Sequence, residues 1–134
     1  MPSRDPAIRV LMMPKDTNGY GTIFGGVILS HIDLASAVEA HRVAAHRYVT
    51  RAMNAVEFHQ PVLVGDLVSF FTETTRIGHT SVTVRVVVEA QRWTGAGPAS
   101  GAGTVRVTEA EVVLVAVDAT GQPTPVKPVS EQGN

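Results

Sequence analysis

One stretch of this chain reads as a helix and nearly all the rest reads as strand, and that asymmetry limits the possible folds. From residue 27 to about 45, Val27, Ile28, Leu29, Ile32, Leu34, Ala35, Ala37, Val38 and Ala40 place apolar side chains almost all round a helical period. A helix greasy on every side belongs inside a protein. At 1.5 Å per residue its ~19 residues span about 28 Å. Elsewhere β-branched residues dominate: 22 Val, 5 Ile and 13 Thr make 40 of 134 residues, against 6 Leu. Such side chains are stiff at χ1 and suit a pleated surface. The expectation is one buried helix wrapped by a sheet.

The strands can be placed. Residues 7–13 alternate weakly and predict a first strand, followed by turn formers from Pro14 to Gly21 and by Gly25-Gly26 before the helix. Residues 49–59 predict a second strand, ended by Pro61, and Gly65-Asp66 turns the chain into a third at 67–77. In 80–92 Val82, Val84, Val86, Val88 and Ala90 share one face, with Ser81, Thr83, Arg85, Glu89 and Gln91 opposite. The Gly/Ala-rich run 94–103 reads as a loop. In the last strand, 104–117, the apolar phase moves from Val105 and Val107 to Ala110, Val112, Leu114 and Ala116, which predicts a β-bulge near Thr108-Glu109. The tail from Asp118 to Asn134 carries Pro123, Pro125 and Pro128 and reads as extended or disordered. The order β-α-β-β-β-β is an α+β fold in a single domain over 1–134, with a core of about 7–118 and antiparallel strands. Phe71 and Val87 fall on the outer face, where another subunit would cover them.

Composition narrows the chemistry. A net charge of −1 disfavours a mainly electrostatic nucleic-acid binder. The absence of cysteine removes thiol catalysis and thiolate metal sites. The chain lacks both an uninterrupted run of about 18 apolar residues and a signal-peptide core at its start, so no membrane insertion and a cytoplasmic location are expected. No nucleophile elbow, HExxH or Walker motif is present. His31, His41, His46, His59 and His79 show no metal-ligand spacing. His31 and His41 read as satisfied helix residues or as interface contacts.

What remains is a short set of residues. Asp33 stands between Ile32 and Leu34 in the greasy helix, where a carboxylate serves neither propensity nor burial. Apolar surroundings make a carboxylate a good proton acceptor, the condition of a general base; a structural acid bonded to a neighbouring hydroxyl is the plainer reading. Gly25-Gly26 at the helix start permits close backbone approach, and the first free N–H groups there can hold a developing negative charge. A simple tight turn is the plainer reading. Asn18 can orient a water or carbonyl, or merely build a turn. Arg51, Arg76, Arg85 and Arg92 lie on expected strands as solvated or ion-paired groups, or as a phosphate clamp.

Taken together, Asp16-Thr17-Asn18-x-x-Gly21-x-Ile23-Phe24-Gly25-Gly26, then Leu29 and Ile32-Asp33, resemble the signature of hotdog-fold acyl-CoA thioesterases, in the bacterial branch related to the brain-type acyl-CoA hydrolase. Val56-Glu57-Phe58-x-x-Pro61-Val62-x-x-Gly65-Asp66 and Gly78-x-Thr80-Ser81 extend the match, which runs from about Val10 to Val117. The resemblance implies a five-stranded antiparallel sheet around one helix, and dimers often assembled into hexamers as trimers of dimers, with active sites between two chains. It implies Asp33 as the catalytic carboxylate, Asn18 as its partner and the Gly26 N–H as the oxyanion donor. Phe24, Gly25, Thr80 and Ser81 are implied as substrate-binding, the last two beside CoA. CoA belongs to the substrate; no cofactor or metal is implied. Tyr20 departs from the small or polar residue usual in relatives, and the 94–103 loop is particular to this chain.

Geometry adds one expectation. Gly26 and Asp33 are seven residues apart, about 10 Å along one helix, too far to serve one reacting centre where contacts of about 3 Å are needed. Asp33 of one chain is therefore expected to face Asn18 and Gly26 of another. The competing functions are a non-catalytic acyl-CoA or fatty-acid binding module, which would not need Asp33, and a hotdog hydratase or dehydratase, which would need a histidine at a spacing this chain lacks.

Overall fold

The computed structural model describes residues 5–92 and 103–127. Five strands, β1 (Ile8–Leu11), β2 (Arg47–Phe58), β3 (Leu67–Ile77), β4 (Ser81–Gln91) and β5 (Thr104–Val117), form one sheet in the order β1-β3-β4-β5-β2. Every pairing is antiparallel. One helix, α1 (Gly25–Val43), lies across its inner face. Val82, Val84, Val86, Val88 and Ala90 of β4 are all fully buried, as their alternation requires. They meet Ile28, Ile32, Ala35 and Ala40 of the helix, with Phe70, Val112 and Leu114 completing the core.

Several expectations are corrected. The helix begins at Gly25, two residues early, because both glycines take helical geometry after an extended Phe24. It ends at Val43, where Ala44 turns extended, and its last turn carries His41 and Arg42 against the negative helix end. It is not buried all round: Leu34 is 57% exposed and Val38 is 37% exposed, while Ile32 and Ala35 are fully covered. A single curled sheet covers one side of a cylinder, so the apolar residues on the other side await different cover. β1 is shorter than expected, since Pro14–Asp16 form a 3-10 turn immediately after Met13.

The bulge in β5 falls at Val107, one residue before the expected place. Val88 faces Thr108 while Glu89 faces Arg106, so Val107 is the extra residue, and both Val107 and Thr108 become buried. Three further bulges were not foreseen: Thr75 in β3, and Arg51 and Ala55 in β2, the last at a positive φ of 51°. As far as Lys127 the tail is ordered and folds back on the sheet, Pro123 bridging Val117. Asp118 accepts the N–H groups of Thr120 and Gln122, Thr124 N–H bonds Ala116 O at 2.8 Å, and Val126 is fully buried. His46 Nε2 fastens Val126 O at 2.7 Å. Residues 128–134, and the loop as far as residue 102, lie outside the described part.

Candidate active site

The first motif builds a hairpin that ends at the helix. Asp16 Oδ2 accepts Met13 N–H at 3.0 Å and its other oxygen pairs with Lys15 at 3.1 Å. The Met13 N–H and then the Lys15 ammonium hold the Asp16 carboxyl below the ordinary aspartate range. Asp16 O takes Phe24 N–H at 2.9 Å, and Thr17 bridges Ile23. Asn18 sits at the tip, with Oδ1 accepting Tyr20 N–H and Nδ2 donating to Thr22 Oγ1, both at 2.8 Å. Within one chain its amide therefore builds the turn. The same hairpin delivers the chain to Gly25, so Asn18 and the helix N-terminus belong to one local unit.

No side chain caps that helix. Val27 N–H turns back to Phe24 O at 2.9 Å, while no side chain takes the N–H groups of Gly25 and Gly26, and the positive end of the helix dipole lies with them. Gly26 allows the close packing here: a Cβ at 26 would meet the Phe24 ring at 2.8 Å. Gly25 lines a cleft of about 190 Å³ with Ile23, Ile28, Phe58 and Val62, a largely apolar slot opening beside the helix start. Phe24, just before the helix, is 58% exposed.

Asp33 lies two turns further along the helix, half-buried rather than enclosed, at the margin between the fully buried Ser36 and Ala40 and the exposed Leu34. Its Oδ1 accepts a hydrogen bond from Thr50 Oγ1 of β2. Asp33 and Asn18 form no contact within the chain; the structure brings together Asn18 with the helix start, and Asp33 with Thr50. Thr50 is the residue that sequence reasoning missed. A threonine on a strand carries no signal of its own, and only its register opposite inward-facing Leu114 shows that it turns toward the helix.

The remaining residues divide. Thr80 O takes Ala116 N–H at 2.8 Å, and Ser81 starts β4 on the outer face of the sheet, away from the helix. Arg92 Nε pairs at 3.2 Å with Asp66, which is 2% exposed and also accepts Leu63 N–H at 2.9 Å. Arg85 pairs with Glu109 at 2.7 Å. Two of the four arginines are thus structural. His31 and His41 bond the carbonyls of Val27 and Ala37, each at 2.8 Å, as satisfied helix residues do. Glu39 was not singled out either: it receives the hydroxyls of Thr72 and Thr74, both at 2.8 Å, and ties the helix to β3.

Glu57, His59 and Glu109 place donor atoms within 4.8 Å of one another, a grouping invisible in their sequence spacing. Glu109 already takes His59 Nε2 at 2.9 Å as well as Arg85, and these bonds hold its carboxyl low. Its negative charge is answered by the protein itself.

The known proteins point to one family. The thioesterase superfamily model matches residues 20–92. An uncharacterized acyl-CoA thioester hydrolase of Buchnera aphidicola is 39% identical over 96% of this chain and 93% of its own length. The acyl-CoA thioester hydrolase YciA of Escherichia coli is 36% identical over 92% and 91%. A hexameric hotdog-fold thioesterase of Campylobacter jejuni superposes with a TM-score of 0.86 at 38% identity, covering 95% of this chain and 93% of that one. With an antiparallel sheet curled on a single helix and likeness along nearly its whole length, the chain belongs to the thioesterase superfamily and has the hotdog fold.

Proposed function

We propose that this protein hydrolyses acyl-CoA thioesters to the free carboxylic acid and CoA. The observation that carries the reading is the pairing of an oriented carboxylate, Asp33 on Thr50, with an uncapped glycine helix start that borders an apolar cleft. The acyl group enters the cleft, with its carbonyl oxygen toward the Gly26 N–H. Asp33 takes a proton from water as the water oxygen attacks the carbonyl carbon. Negative charge gathers on the carbonyl oxygen and is held at the helix start. Collapse expels the CoA thiolate, which takes the proton from Asp33. Direct attack by Asp33, through an anhydride, uses the same groups. No cofactor or metal takes part in either route.

The same reading places the site between two chains. Asp33 and Asn18 do not meet within one chain, and Asp33 stands at the edge of the uncovered helix face that carries the exposed Leu34 and Val38. A second copy laid there would cover apolar surface and bring its own hairpin to the carboxylate. A dimer is then the smallest active unit; the hexameric assembly of the similar C. jejuni enzyme supports a trimer of such dimers. Among the described residues, no helix is long and apolar enough to cross a membrane; a cytoplasmic location belongs to this same reading. The test is thiol release from acyl-CoAs of increasing chain length. The wild type should liberate CoA and Asp33→Ala should lose at least a hundredfold in rate. Undiminished release by Asp33→Ala would remove the assignment, and no release from any chain length would leave a binding module.

A further inference from the structure

On the sheet face turned away from the helix, one cross-strand row runs from β3 to β2. Arg76 faces Thr83, Thr83 faces Val113, and Val113 faces Ala52. The next residues in the strands, Val82, Val84 and Val112, are fully buried on the opposite face. Both ends of this row are bulged, at Thr75 beside Arg76 and at Arg51 beside Ala52. A bulge gives up ladder pairing in order to re-aim a side chain. Here two bulges at one level set two arginines on the same face.

Between them lies a groove of about 350 Å³, lined by Arg51 and Arg76 with Asn54, Ser81 and Thr83. Among the described residues, no carboxylate lines it. Glu111 of β5 stands opposite Asn54 and Arg85, two residues along from Val113, and is not part of the wall. Arg42, Arg85 and Arg92 have acidic partners, and Arg9 donates to Ser69 Oγ at 2.8 Å. Among the described residues, the side chains of Arg51 and Arg76 have neither an ion pair nor a hydrogen-bond partner. Two uncompensated guanidinium groups beside two hydroxyls and an amide make a receptor for a polyvalent oxyanion.

We infer that this groove holds phosphate groups of the nucleotide end of the substrate, with Arg51 and Arg76 as the paired binding residues. The inference rests on the acyl-CoA reading above. The backbones at the two ends of the row stand three strand spacings apart, roughly 14 Å. Two arginine arms reaching in across that span can grip one phosphate from both sides, or two phosphates of the same molecule. The planar fork of each binds phosphate oxygens in pairs, which lysine cannot reproduce. The groove anchors the charged end, while the thioester, at the other end of a long flexible arm, is left to the carboxylate.

The test compares acyl-CoA with the matching acyl-pantetheine, which has no phosphates. In Arg51→Ala and Arg76→Ala, KM for acyl-CoA should rise about tenfold each, with kcat within about twofold of wild type. The acyl-pantetheine should be hydrolysed as by the wild type, and Arg→Lys variants should fall in between. Unchanged KM for acyl-CoA overturns the inference. So does an equal loss on both substrates, or a double variant whose assembly falls apart on size exclusion, since either marks a structural role. Calorimetric titration separates this inference from the function it rests on. If the wild type hydrolyses nothing yet binds CoA only with both arginines present, the function fails and the groove stands. CoA binding indifferent to both arginines overturns the groove and leaves the function intact. 3′-dephospho-CoA should bind more weakly than CoA or equally well, according to which phosphate is held, and both must depend on the pair. Inorganic phosphate competing as well as CoA would reduce the groove to a general anion site and overturn the assignment.

Discussion

Thr50→Val tests the arrangement of the carboxylate directly. Valine keeps the β-branched shape that suits β2 and removes only the hydroxyl that donates to Asp33 Oδ1. A hydrogen bond to a charged acceptor is worth about 1.5–3 kcal/mol, and solvent access at this half-exposed pair favours the lower end. Since about 1.4 kcal/mol is a factor of ten in rate, kcat should fall roughly tenfold. KM should move little, because Thr50 acts through Asp33 and not on the substrate. Steady-state thiol release gives both constants, and a thermal melt checks that the fold is retained. Two variants make the inference specific. Thr50→Ser keeps the hydroxyl and should recover most of the rate, whereas adding Thr50→Val to Asp33→Asn should cost almost nothing more, because there is no longer a charged carboxylate to orient. A Thr50→Val enzyme within twofold of wild type would refute the reasoning. So would a serine variant as slow as the valine one.

Two other features bear on stability. Asp66→Ala leaves Leu63 N–H and the Arg92 guanidinium without their buried partner, which should cost about 3 kcal/mol and lower Tm by on the order of 10 °C; an unchanged melt would show the pair to be idle. Glu109 is a depressed acid, held low first by its hydrogen bond from His59 and then by Arg85. Its folded form binds protons less readily than its unfolded form, so its contribution is present above the ordinary glutamate range and lost as pH falls through the lowered value. Melts between about pH 6 and pH 3 should therefore show a shallower acid decline in Glu109→Gln than in wild type, and coincident profiles would contradict the assignment.

The parts of the fold legible in the sequence are those where one local pattern meets one burial environment. The valines of β4 alternate without a break, and β3 and β5 fall at the expected residues. The phase change in β5 announced its bulge to within a residue. The bulges at Thr75 and Arg51 gave no such sign, because Thr74 and Arg76 flank the one and Thr50 and the small Ala52 the other, so no run of large apolar residues changes phase there. The folded-back tail was missed for a similar reason. Val126 plugs the core from a proline-rich segment with no apolar alternation, and its place depends on contacts with His46 and His79 far away in the chain.

The site divides in the same way. Asp33 could be found because a carboxylate in an apolar helix is costly wherever the helix packs. Its degree of burial could not, since a helix greasy all round looks the same whether one chain or two cover it. Thr50 lay in a strand full of ordinary strand formers. Asn18 and Gly26 could be placed together because a hairpin of turn residues leads without interruption into the helix. How that hairpin meets a carboxylate two helical turns away is a matter of assembly.

The central claim is a site made from two chains, with Asp33 supplied by one and Asn18 with the Gly26 N–H by the other. Co-expression of Asp33→Ala and Asn18→Ala chains, each nearly inactive alone, measures this. Random pairing makes about half of the pairs mixed and leaves one of the two sites of each mixed pair intact, so the co-expressed pool should regain about one quarter of the wild-type rate of acyl-CoA hydrolysis. Mixed assemblies no more active than either parent would contradict the shared site.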